Sequence, residues 1–129
     1  MTSSAAARDR LATGGLLVLS LFLHRDALIG NAVMYKRDVH LVWVPQVEAF
    51  VRAVLSGAWP VWDPGPAFGQ PLLADTSAQV LYPLTWLNLV MRPWTYYTLF
   101  ALVHSVLSAL GTFRLARHFG ASSAGGFVA

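Results

Sequence analysis

The sequence predicts an all-α membrane protein: two transmembrane helices joined by a long extracytoplasmic loop with a juxtamembrane amphipathic helix, and the start of a third helix at the C-terminus. Three observations carry this expectation. Of the 129 residues, 56% are apolar and only 12% charged, whereas an ordinary soluble domain carries about 25% charged residues. Residues 95–113 form a run of nineteen without a formal charge. Arginines flank both apolar segments at the ends where a cytoplasmic boundary is expected. The mean hydropathy of +0.53 agrees.

The same composition excludes other classes. A disordered chain needs low hydrophobicity and high net charge. Without cysteine, neither a disulfide scaffold nor a Cys-ligated zinc module can form. The net charge of +3 is spread thinly, with no basic block to follow a phosphate backbone, so nucleic acid is not an expected partner.

Residues 1–10 read as a cytoplasmic N-terminus and residues 11–30 as the first transmembrane helix. Its apolar core, 11–23, has thirteen residues, a length shared with signal-peptide cores. Gly30-Asn31-Ala32 offers a cleavage site, which keeps a signal peptide as the competing reading. Against cleavage, the apolar residues resume beyond Arg25 and Asp26, and a snorkelling Arg25 extends an anchor equally well. The second transmembrane helix is read as 94–113. At about 1.5 Å per residue it nearly crosses the ~30 Å hydrocarbon core. Trp94, Tyr96 and Tyr97 mark its interfacial start, and Ala101, Ser105, Ser108 and Thr112 give a small-residue stripe for close helix packing. His104 within it suggests a hydrogen bond to a neighbouring helix or a functional group. Residues 114–123 read as a cytoplasmic turn, and 124–129 as the start of a further apolar helix in a longer chain.

With Arg8, Arg10, Arg114 and Arg117 cytoplasmic, the loop 31–93 lies outside. Between Arg25 and Arg92 the five basic and five acidic residues balance. Residues 45–56 have a helical pattern: Val47, Phe50, Val51, Val54 and Leu55 share one face, and Glu48 and Arg52 form an i,i+4 pair on the other. Pro45 suits a first turn, and Gly57 with Pro60 ends the helix. It reads as an interfacial helix, or as an amphipathic helix packed on a core. The stretch from Trp59 to Pro66 is too rich in proline for helix or central strand, and Phe68 to Asp75 continues as an extended, turn-rich stretch. The apolar segment 84–91 is too short to span, and reads as re-entrant or interfacial.

Three pieces of this loop carry a family resemblance. They are Ser56-Gly57-Ala58-Trp59-Pro60-Val61-Trp62-Asp63-Pro64, then Phe68-Gly69-Gln70-Pro71-Leu72-Leu73-Ala74-Asp75, then Tyr82-Pro83-Leu84. Together they resemble the first outside loop of the YfhO-like bacterial membrane proteins, a family similar to the GT-C superfamily of polytopic glycosyltransferases. Arg37-Asp38-Val39 with Pro45 resembles the start of the family's loop, and His104, Gly111-Thr112 and Arg114-Leu115-Ala116-Arg117 its next helix. The sequence departs from the pattern at Asp63, where asparagine is expected, and at Gly65-Pro66, which replace bulkier residues.

The resemblance implies a multi-pass protein of the bacterial cytoplasmic membrane that moves a sugar from a polyprenyl-phosphate donor to an extracytoplasmic hydroxyl. Such transfer needs a base for the acceptor proton and positive charge for the departing phosphate. Asp38 matches the acidic residue that serves as base in GT-C enzymes; its other reading is a helix cap. Lys36, Arg37 and Arg52 are the candidates for the lipid phosphate, against simple interfacial snorkelling. Gln70 and Asp75 are candidates for sugar hydroxyls, though Asp75 also suits a turn. No metal is assigned. Asp38 and His40, joined by Asp63 and Asp75 if the loop folds back, would be the ligands of a divalent ion. A non-catalytic membrane protein that binds lipid or a partner is the competing class. No Ser/His/Asp arrangement, Walker loop or dinucleotide glycine pattern is present.

Overall fold

The structure is a computed structural model that describes residues 2–29, 37–66 and 68–129. It is 69% helical and divides into two compact units, Met1–Ala32 with Thr98–Ala129, and Val33–Tyr97.

The first unit opens on α1, Thr2–Leu23. This helix begins nine residues before the expected position 11, because Ala5-Ala6-Ala7 and the long arginine side chains are good helix formers and charge does not stop a helix. It also ends before residue 30. His24 leaves helical geometry at φ −101°, ψ 5°, and only the single turn α2, Arg25–Leu28, follows. The His24 ring Nδ1 meets the Ser20 carbonyl at 2.9 Å. Arg25 turns back toward α1: its Nη1 donates to the Phe22 carbonyl at 3.0 Å and its guanidinium lies 4.2 Å from the Phe22 ring centre. Arg25 thus serves the helix C-terminus, where a cation and a donor are both favourable.

The long helix α4, Pro93–His118, is the one described helix long and apolar enough to cross a membrane. Only 6% of its most apolar eighteen-residue stretch is buried. A soluble core helix of that apolarity would hide most of its surface. Every eighteen-residue stretch of α1, by contrast, contains Arg8, Asp9 and Arg10. The segment 114–123, expected as a turn, is helical as far as His118, because Arg114 and Arg117 propagate the helix. It stops at Gly120. There φ is +86°, the Ala121 N–H donates to Ala116 O at 3.0 Å and the Gly120 N–H to Arg117 O at 3.1 Å, which is the Schellman pattern that favours glycine.

The last helix, α5, spans Ser123–Val128, and Ser122 Oγ caps it by accepting from Gly125 N at 3.0 Å. A Cβ on Gly15 of α1 would lie 3.1 Å from the Phe127 ring, and one on Gly126 would lie 3.1 Å from the Phe113 ring. Small residues therefore let α5 wedge against α1 and α4. A polar clip closes the same end: Asp9 Oδ2 accepts from Arg117 Nη2 at 3.1 Å, Asp9 Oδ1 accepts from Ser123 Oγ at 2.6 Å, and Arg117 Nε stands 3.1 Å from Oδ1. The small-residue stripe on α4 (Ser105, Ser108 and Thr112 with His104) lines an open hollow of about 550 Å³, shared with Leu16, Gly126 and Phe127. His104 Nδ1 meets the Phe100 carbonyl of its own helix at 2.7 Å.

The second unit is built on α3, Val44–Leu55, entered through a π-helical turn, Val39–Trp43. The Val44 N–H donates to the Val39 carbonyl five residues back. The wider turn accommodates Pro45, which has no N–H and whose ring would crowd the carbonyl four residues earlier. The expected boundaries, 45–56, are one residue from those observed. The apolar face, however, is used inside the unit. Val47 and Phe50 are fully buried, and Phe50 packs with Leu72, Ala78 and Val80 and meets Trp86 edge-on at 5.2 Å. Leu55, on the same face, is exposed.

From the segment 84–91, Trp86 and Leu89 pack on this core; they lie in a 3₁₀-helix over Pro83–Leu89, and Trp86 Nε1 donates to Val80 O at 3.0 Å. Trp43 lies 5.7 Å from the Tyr96 ring and 5.4 Å from Tyr97, tying the π turn to residues just after Pro93. In the proline-rich stretch, two residues of β1, Trp62–Asp63, pair antiparallel with β2, Gln70–Pro71. Val61 O accepts from Leu72 N at 2.9 Å and so continues the pairing into the core. The return is made at Gly69, where φ is +92°.

Candidate functional site

The exposed face of α3 and the β1–β2 ladder enclose a hollow of about 410 Å³, within the size range of small-ligand sites. Glu48 and Arg52, one helical turn apart, form one wall; Asp63 and Gln70, paired across the ladder, form another; Pro45 and Pro66 close the sides. The helix pair and the ladder pair are positioned independently, so four polar side chains converge from two elements. Asp63 is buried, and its Oδ1 accepts from Gly65 N at 3.0 Å. That two-residue Asx bond is available to asparagine and aspartate alike. What aspartate adds is a charge 3.9 Å from Arg52 Nη2. Arg52 is well exposed, and such a pair contributes about 0–1 kcal/mol to stability. Its donors remain accessible to a ligand.

The charges decide which ligand fits. Two carboxylates, Glu48 and Asp63, line the hollow with one guanidinium, so a phosphate there would meet excess negative charge. A neutral ligand bearing hydroxyls would find acceptors in Glu48 and Asp63 and donors in Arg52 and Gln70.

The other residues singled out in the sequence stand elsewhere. Asp38 is exposed, holds helical φ,ψ of −69° and −28°, and makes no side-chain cap hydrogen bond; it does not line the hollow. The capping reading therefore fails. Arg37 beside it is exposed, and Lys36 lies outside the described residues. The His40 ring lies tilted against Trp94, with ring centres 4.4 Å apart. Among the described residues no three of His, Asp and Glu gather as metal ligands, so Asp63 and Asp75 do not join Asp38 and His40.

Asp75 organises a turn. Its Oδ1 accepts from Ser77 N at 2.8 Å and Ser77 Oγ at 2.7 Å, and its Oδ2 accepts from Gln46 Nε2 of α3 at 2.7 Å. The Ser77 hydroxyl and N–H, with the Gln46 amide, hold its carboxyl below the usual value of 3.8 against a smaller opposing effect of burial. A lowered carboxyl favours the folded state above its unfolded pKa, and that contribution disappears as pH falls through the folded value. Thermal melts should therefore show a fall in Tm below about pH 4 that is smaller in Asp75→Asn.

Glu48 and Asp63 were not singled out by sequence as members of this site. Glu48 was visible as the helix partner of Arg52; nothing in residue spacing brings Asp63 to it. Compared with protein-family models, curated proteins and solved structures, the chain matches none.

Proposed function

We propose that this chain is the N-terminal part of a polytopic glycosyltransferase of the bacterial cytoplasmic membrane, moving a sugar from a polyprenyl-phosphate donor to an extracytoplasmic acceptor. The observation that carries the reading is the convergence of Arg52 and Gln70 on one hollow with Glu48 and Asp63. Their chemistry suits the hydroxyls of the donor sugar, while the lipid phosphate falls to Arg37 and Lys36 and the acceptor proton to Asp38. The α4 helix is one span and α1 with its continuation the other. The Asp9–Arg117 contact supports a common side for the arginines near position 9 and those near position 115.

Membranes carrying the protein are expected to transfer labelled sugar from a polyprenyl-phosphate sugar, and Arg52→Ala to raise KM about 10- to 100-fold, the loss of a charged hydrogen bond. Transfer no greater than in membranes lacking the protein would contradict the proposal. The position of Asp38 outside the hollow favours one second reading: a membrane protein that binds the lipid-linked sugar without transferring it.

A further inference from the structure

Arg52 and Asp63 also line a second hollow, of about 480 Å³. Trp62 lines it with Ser56, and Ala49, Ala53, Ala58 and Gly65 contribute little bulk. Trp62 is 52% exposed yet firmly seated. A Cβ on Gly69 would lie 2.3 Å from Trp62 Nε1 and 2.7 Å from two further ring atoms. The indole thus occupies the space of a missing side chain, next to the ladder that fixes its backbone. We infer that this second hollow is a carbohydrate subsite: Trp62 carries the C–H face of a pyranose ring, and Arg52 and Asp63 take its hydroxyls.

The chemistry follows from the lining. An aromatic ring face is electron-rich and attracts the positive edges of C–H groups. Arg52 offers several N–H donors, and Asp63 retains acceptor sites beyond the one used by Gly65. The charged lining residues, Arg52 and Asp63, sum to zero, which suits a neutral polyol better than a phosphate. A rigid aromatic platform is ordered before the ligand arrives, so little conformational entropy is lost on binding. This inference rests on the proposed sugar transfer: the first hollow would take the donor sugar and the second a further pyranose unit beside it, with Arg52 and Asp63 lining both, while the acceptor hydroxyl is left to Asp38 outside the two hollows.

The test uses the protein in lipid nanodiscs and the methyl β-glycosides of glucose, mannose, galactose and N-acetylglucosamine, read by saturation-transfer difference NMR. At least one glycoside should receive saturation on its ring C–H protons. The signal should fall five-fold or more in Trp62→Ala and largely survive in Trp62→Phe. Gly69→Ala, which keeps the indole but pushes it from its seat, should lose it too. Ala53→Met fills the hollow from α3 without touching the ladder, and should abolish the signal even where the ladder variants fold poorly. No saturation of any of the four glycosides, or equal saturation in Ala53→Met, would overturn the subsite. So would quenching by brominated lipid that is present in the wild type and absent from Trp62→Phe, which would assign the ring to the bilayer. Glycoside binding without sugar transfer would keep the subsite and remove the transferase; transfer without binding at Trp62 would do the reverse.

Discussion

Replacing Asp38 with asparagine is expected to slow the proposed sugar transfer by about 10²- to 10⁴-fold, the usual contribution of a positioned general base. Asparagine keeps the size and one oxygen of aspartate but cannot accept the acceptor's proton. The loss should fall on kcat, since Asp38 does not line the hollow assigned to the donor sugar. Stability should move by less than about 0.5 kcal/mol, as for other exposed substitutions, because the side chain caps nothing. Steady-state kinetics and a thermal melt on the same membrane preparation separate the two effects. A variant that transfers sugar at the wild-type rate would remove Asp38 as the base and leave the transfer to another group.

The largest effect on stability is expected at Phe50. Its side chain is fully buried, contacts the core residues Leu72, Ala78 and Val80, and meets Trp86 at a ring separation of 5.2 Å and an angle of 87°. Truncation to alanine removes this burial and leaves a cavity, which together cost about 3–5 kcal/mol. The consequence reaches the site, because the helix that buries Phe50 carries Glu48 and Arg52 on its opposite face. Phe50→Ala should therefore lower the unfolding midpoint, shift tryptophan fluorescence through Trp86, and weaken the proposed sugar binding although Phe50 does not line the hollow. An unchanged midpoint would show that α3 is not held by this core.

Local signals in the sequence were legible and distant pairings were not. The uncharged run in α4 and the pattern of α3 each predict a helix, because periodicity and length are properties of neighbouring residues. The start of α1 and the end of α4 differ from expectation for one reason: arginines mark a membrane boundary but not a helix boundary. In α4 the stop signal is Gly120, beyond the last apolar run. Whether the apolar face of α3 met lipid or protein depended on Leu72, Ala78 and Val80, which lie far along the chain. The site shows the same division. Arg52 and Gln70 were named from residue type and resemblance, and Glu48 was legible as the helix partner of Arg52, whereas Asp63 meets Gln70 only through the ladder of Trp62–Asp63 with Gln70–Pro71. Two residues, one of them proline, are too few to show the alternation of a strand. Asp75 was open to two readings, and its bonds to Ser77 and Gln46 give it the turn.

The function proposed for this chain depends on a sugar site outside the cytoplasmic membrane and on both ends within the cytoplasm. The absence of cysteine makes that topology directly measurable. Single cysteines at exposed positions, Ala6→Cys in α1 and Ala74→Cys after β2, can be probed in intact spheroplasts with a membrane-impermeant maleimide. The account predicts that Ala74→Cys is labelled in intact cells, while Ala6→Cys is labelled only after lysis. Labelling of Ala6→Cys before lysis, or protection of Ala74→Cys, would contradict it.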